Sequence, residues 1–309
     1  QIKEEEEEEE DEAIAPPPPT KRRRVAGAKT GAKAKAGAKA GGKAGSKSAP
    51  APAPGGGKAS AGAWKADPAI HGRSVLEARF SDDDDRIAKS PPVRDRKDAT
   101  FKFTTCEGGE AAAAIATFRP NRSPEEVLRA GAFGGTYFRN IYSSVTKTQY
   151  TKAYSDLPQQ WIQGLTPSSH LARSWKGYST EVNKYKAKCG QTLEDWEGSG
   201  WITNHDPYGW FQWYCRFFQG RRCDDDERQI SRWNKCCGAK GRWKSNLIGK
   251  VLIAGKAYDD VSVSPVVRQT LLHWAFELTE AEFDKGAKRV KSKGAAYVPK
   301  HQMAAVMNK

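Results

Sequence analysis

Nine of the ten tryptophans fall between Trp161 and Trp274. Each indole buries on the order of 150–250 Å². A segment so rich in them is driven to pack around a core. Its periodicity says what kind of core. Trp210, Trp213, Tyr214, Phe217 and Phe218 recur at helical spacing, a broad apolar stripe on a helix opened by Pro207-Tyr208-Gly209 and stopped by Gly220. The spacing predicts a mainly α fold: an orthogonal multi-helix, Trp-rich globular domain over 101–290, with at most a small strand element at Phe101–Thr105.

Helix-boundary residues agree with this reading. Ser123-Pro124-Glu125-Glu126 is a capping box with Pro at the first helical position, and Gly131 ends that helix. Thr192 caps a short helix that stops at Gly198. Asp224–Glu227 opens another, with Ile230, Trp233 and Cys237 inward and Gly238 beyond its end. A further helix spans Gly241–Ile253. Ser264-Pro265 repeats the Ser-Pro start and leads a helix to Leu278. Thr279 with Glu282 starts a short last one, before a basic tail at 291–309.

The first hundred residues read differently. Large apolar side chains are sparse there. Glu4–Glu12 is an unbroken acidic run, and Pro16–Pro19 follows it. Such a segment is expected to be a disordered arm. Lys21-Arg22-Arg23-Arg24 is then a cationic cluster of the kind a nuclear import receptor reads. Beyond it Lys29, Lys33, Lys35, Lys39, Lys43 and Lys47 are spaced by Ala and Gly. This pattern resembles the Ala/Lys tail of linker histones, which implies salt-sensitive, sequence-independent affinity for phosphates. Residues 49–63 form an Ala/Pro/Gly/Ser linker.

The formal charge of +14 and pI near 9.4 favour partners of dense negative charge. No stretch approaches the 18 or so apolar residues of a membrane span. The acidic N-terminus lacks the apolar region of a secretory signal, so the six cysteines are expected as reduced thiols. The nucleus is the expected location.

The candidate nucleic-acid face is a cationic cluster within the helical domain: Arg216, Arg221, Arg222, Arg228, Arg232, Lys240, Arg242 and Lys244. Arg and Lys near helix ends can present charge to phosphate. The alternative is a solvated surface paired with Asp224–Glu227. Those carboxylates suit a helix dipole better than Mg²⁺. Cys215, Cys223, Cys236 and Cys237 lack zinc spacing, so no metal or cofactor is expected. His205 and Asp206 are the weak catalytic candidates, with helix capping as the preferred role. Asp206 near Trp201, Tyr208 and Trp210 is the place for a flipped-base pocket. His273, beside Trp274, is expected to be structural. The Gly131–Gly135 segment lacks the preceding strand that a phosphate cradle needs.

The segments GAFGGTYFRNIYSSVT (131–146), GWFQWYCRFFQGRR (209–222), DDDERQISRW (224–233) and SPVVRQTLLHWAFELT (264–279) resemble a family of uncharacterised eukaryotic proteins. The resemblance covers about residues 118–290. It implies a shared domain and assigns no site residues. The expectation is a nuclear protein that binds nucleic acid, DNA before RNA. An enzyme acting on nucleic-acid bases and a nuclear protein-interaction module are the alternatives.

Overall fold

The computed structural model describes residues 64–67, 73–76, 86–106 and 111–293. The acidic run, the Lys21–Arg24 cluster, the Ala/Lys repeat and most of the basic tail lie outside them.

The described chain is mainly helical, with short antiparallel strand pairs. The helices are α1 (Ala112–Thr117), α2 (Pro124–Ala130), α3 (Gln159–Ile162), α4 (Leu193–Gly198), α5 (Trp210–Phe218), α6 (Asp226–Cys237), α7 (Arg242–Ala254), α8 (Pro265–His273) and α9 (Glu280–Lys293). Strands β1 (Trp64–Asp67) and β2 (Arg73–Leu76) pair with each other. β3 (Arg86–Ile87) pairs with β8 (Arg221–Arg222), β4 (Val93–Arg94) with β5 (Phe101–Lys102), and β6 (Ile141–Ser143) with β7 (Thr148–Tyr150). Packing therefore begins before residue 101: Ala88 is buried and its N–H donates to the Gly220 carbonyl. Among the described residues no helix is long and apolar enough to cross a membrane.

The predicted stripe on α5 is buried from Trp210 to Phe217, with Phe218 partly buried, and the other faces of the helix are buried too. Trp213, Tyr214 and Phe217 are fully buried, and Phe211, Gln212, Cys215 and Arg216 on the other faces are buried too. A helix enclosed all round is the centre of a core rather than its wall. Phe118 packs edge-on against Trp233 at 5.2 Å and Tyr214 at 5.8 Å. Trp210 lies 4.7 Å from Trp274. Around α5, α6 packs on α1 and α7, and α7 in turn on α8 and α9.

Several helix boundaries follow the sequence. Ser123 accepts from the Glu126 N–H and Glu126 accepts from the Ser123 N–H, a complete capping box, and Thr192 with Asp195 forms another. Others depart from it. Ser264 has φ +52°, which keeps its hydroxyl from capping, and α8 stops at His273 rather than Leu278. Ala275 at φ +55° makes the turn, sending Phe276 inward and Glu277 to Arg122. The last helix is longer than expected and runs through Lys293.

Candidate functional site

The predicted cationic face is largely internal. Arg216 donates to Asp206 Oδ1 at 2.9 Å and to the His205 carbonyl at 2.7 Å. Arg221 grips both oxygens of the same carboxylate, at 3.1 and 2.5 Å. Asp206 is fully buried, as are both guanidinium groups, and Asp156 lies 3.6 Å from Arg216. Arg222 points inward, donating to the carbonyls of Thr104, Phe217 and Arg221 with its guanidinium 3.7 Å above the Phe217 ring. Burial pulls its pKa down to about 10 and lowers that of Arg216 as well. Lys244 is buried against Glu282 at 2.6 Å. Arg228 is half-buried on Asp225, and Arg242 stacks on Trp243 at 4.7 Å. Lys240 is exposed. These eight residues do not make one continuous surface, because Arg216, Arg221, Arg222 and Lys244 turn inward to internal partners.

Asp206 is accordingly a buried counter-ion, not a cap. Gly209, at φ +82°, occupies the α5 N-cap without a side-chain bond. His205 is partly buried, and its Nδ1 has no hydrogen-bond partner among the described residues. Among the described residues no three His, Cys, Asp or Glu side chains are placed to hold a metal ion.

A cavity of about 110 Å³ opens elsewhere, between the Phe133–Arg139 segment, the 175–191 and 196–202 loops, the start of α5, and α6 and α8. Five indoles line it: Trp175, Trp196, Trp201, Trp210 and Trp274. Of the residues suggested for a flipped-base pocket, Trp201 and Trp210 reach this cavity, whereas Asp206 and Tyr208 do not.

Two guanidinium groups enter the same wall. Arg139 sits 4.9 Å from the Trp175 ring, and Arg232 lies 5.3 Å from Trp201 and 5.5 Å from Trp274. Arg139 donates to the Thr136 carbonyl at 3.3 Å and Arg232 to Gln229 Oε1 at 3.1 Å. Neither meets a carboxylate within salt-bridge distance among the described residues, and the wall contains no Asp or Glu. Burial lowers the pKa of Arg139 and brings that of Arg232 down to about 10, so both stay cationic at neutral pH.

His273 lies buried in the wall. Burial depresses its pKa to about 3, which keeps the ring neutral. The Phe133 N–H donates to Nε2 at 2.9 Å, so the ring proton sits on Nδ1, 3.4 Å from Cys189 Sγ. The Phe133 ring stacks on the imidazole at 4.0 Å. The Gly131–Gly135 segment shapes this side. Its Phe133, Gly134 and Gly135 N–H groups are taken by His273, Asn183 and Ala132, leaving none of those three for a phosphate. Gly134 has φ +57°, and a Cβ there would strike the Tyr178 ring at 2.6 Å.

Arg139, Trp175, Tyr178 and Trp196 carried no signal in the sequence as a group, since the 133–139 segment, the 175–178 turn and α4 are brought together only by tertiary packing. Arg232 was legible as a cation but not as a cavity residue. Compared with known protein families, curated proteins and solved structures, the chain matches none.

Proposed function

We propose that this chain is a nuclear nucleic-acid-binding protein, with DNA favoured over RNA. The arm supplies most of the phosphate affinity and the helical domain orients the complex. One contrast carries this reading. The Arg216–Lys244 cations are largely consumed inside the fold, whereas Lys21–Arg24 and the six lysines of the Ala/Lys repeat stand in sequence that offers them few carboxylates beyond Glu4–Glu12. Lys21–Arg24 is also the segment a nuclear import receptor would read. The test compares the full chain with one beginning at Arg86, on duplex DNA, single-stranded DNA and RNA. The full chain should bind duplex with a steep salt dependence, and the shortened chain should lose most of that affinity. Equal affinity of the two would refute the assignment to the arm.

The cavity favours a second reading, an enzyme acting on nucleic-acid bases. Such an enzyme needs stacking surfaces for an extruded base. The indoles of the wall supply those, although Asp206 is too deeply committed to Arg216 and Arg221 to act as its acid.

A further inference from the structure

The cavity walls define a ligand by charge and shape together. Small-molecule sites are mostly apolar concavities with a few converging polar groups, and the lining of this one has that composition, with room inside for a ring system. Its charge is one-sided: Arg139 and Arg232 bring two positive charges, His273 is neutral, and no acidic side chain faces in. An aromatic cage without the arginines would suit a quaternary ammonium ion. Two guanidinium groups with no carboxylate at salt-bridge distance among the described residues repel such a cation and call for an anion. Arginine is suited to that task because its planar fork matches phosphate and carboxylate oxygens.

The apolar part of the wall is equally selective. Arg232 lies over both Trp201 and Trp274, so a flat ring entering the cavity meets indole surface beside a cation. Stacking of a nucleobase on an aromatic side chain is tolerant of base identity. We propose that the cavity binds a nucleotide: a base stacked on the indoles with its phosphate on Arg139 and Arg232. This rests on the cavity alone and stands whether or not the arm binds nucleic acid.

The test is calorimetric titration of the full chain with AMP and UMP, against adenosine, uridine, inorganic phosphate and benzoate. AMP or UMP should bind saturably, and each of the other four about tenfold more weakly or worse, because either the ring or the phosphate contact is missing. Arg232→Met and Arg139→Met should each lower nucleotide affinity about tenfold while leaving the thermal midpoint within a few degrees of the parent. Arg139, nearer solvent beside the partly exposed Trp175, provides the reading if the Arg232 variant does not fold. Replacing the six repeat lysines by Gln should leave AMP and UMP binding unchanged, which separates the cavity from the arm. Any of four results overturns the proposal: no saturable nucleotide binding, a nucleoside bound as tightly as its nucleotide, benzoate bound more tightly than both nucleotides, or full affinity in a folded arginine variant.

Discussion

Replacing Asp206 by Asn is the most informative single perturbation of the core. The carboxylate is fully buried and holds Arg216 at 2.9 Å and Arg221 at 2.5 Å. Removing one partner of a buried pair strands the other charge and costs about 3–5 kcal/mol. Here one carboxylate serves two guanidinium groups, which pushes the cost upward. Asp156, 3.6 Å from Arg216 and partly exposed, offsets some of it. The expected loss is about 4 kcal/mol, a large part of the ~5–15 kcal/mol that holds a typical domain. With a urea slope of about 2 kcal/mol per molar, the midpoint should fall by about 2 M at unchanged slope. Arg221→Met alone should also destabilise, and the double variant should lose less than the sum, because the Asp206–Arg221 pair vanishes together while Arg216 keeps Asp156. Glu125→Gln, which breaks the exposed Glu125–Arg129 pair at 2.9 Å, is the control and should cost no more than about 0.5 kcal/mol. A loss below about 1 kcal/mol in Asp206→Asn, or strict additivity in the double variant, would refute the buried-cluster reasoning.

Other perturbations probe other parts of the fold. His273 takes a proton near its ordinary pKa of about 6.5 when unfolded but only near 3 when folded. The unfolded state therefore binds more protons between those values, and the native protein loses stability as pH falls through that window, by up to about 1.4 kcal/mol per pH unit. Urea midpoints of the parent and His273→Gln, measured against pH, should diverge below about pH 6.5 and run parallel above it; parallel curves throughout would contradict this. Gly135→Ala places a Cβ 2.2 Å from the Ser169 carbonyl at φ +77°, and should cost at least about 1–3 kcal/mol in chemical denaturation. Gly134→Ala should displace the Tyr178 ring and weaken any cavity ligand along with stability, as titration and melting would show. Ser123→Ala removes half of the α2 capping box and should cost about 1 kcal/mol, with faster amide exchange confined to the first turn of α2.

The helical core was legible because its signals are local. Ser123 and Thr192 cap the helices they precede, Gly238 ends α6, and the Trp210–Phe217 stripe is buried. What one face of a helix says about the opposite face is less reliable. Arg216 lies across from an aromatic stripe, where sequence logic puts solvent, yet α5 is enclosed and Asp206 provides the counter-charge from a loop ten residues earlier. The end of α8 was misplaced because Ala275 adopts a left-handed backbone that its residue type does not advertise. The cavity was half visible. Sequence proximity ties Trp201 and Trp210 to Asp206, whereas in space they share a cavity wall with Arg139 and Arg232. Such convergence is set by tertiary packing of separate helices and irregular segments, which no local periodicity encodes.

The central claim, that the arm supplies the phosphate affinity, is tested most directly by salt dependence. Binding of the full chain to duplex DNA should be measured over a range of salt concentrations, beside a chain with Lys29, Lys33, Lys35, Lys39, Lys43 and Lys47 replaced by Gln. Each phosphate neutralised contributes about 0.9 to the slope of log affinity against log salt. Six lysines in contact therefore predict a slope shallower by about five in the variant. An unchanged slope would contradict the account by taking the phosphate contacts away from the Ala/Lys repeat.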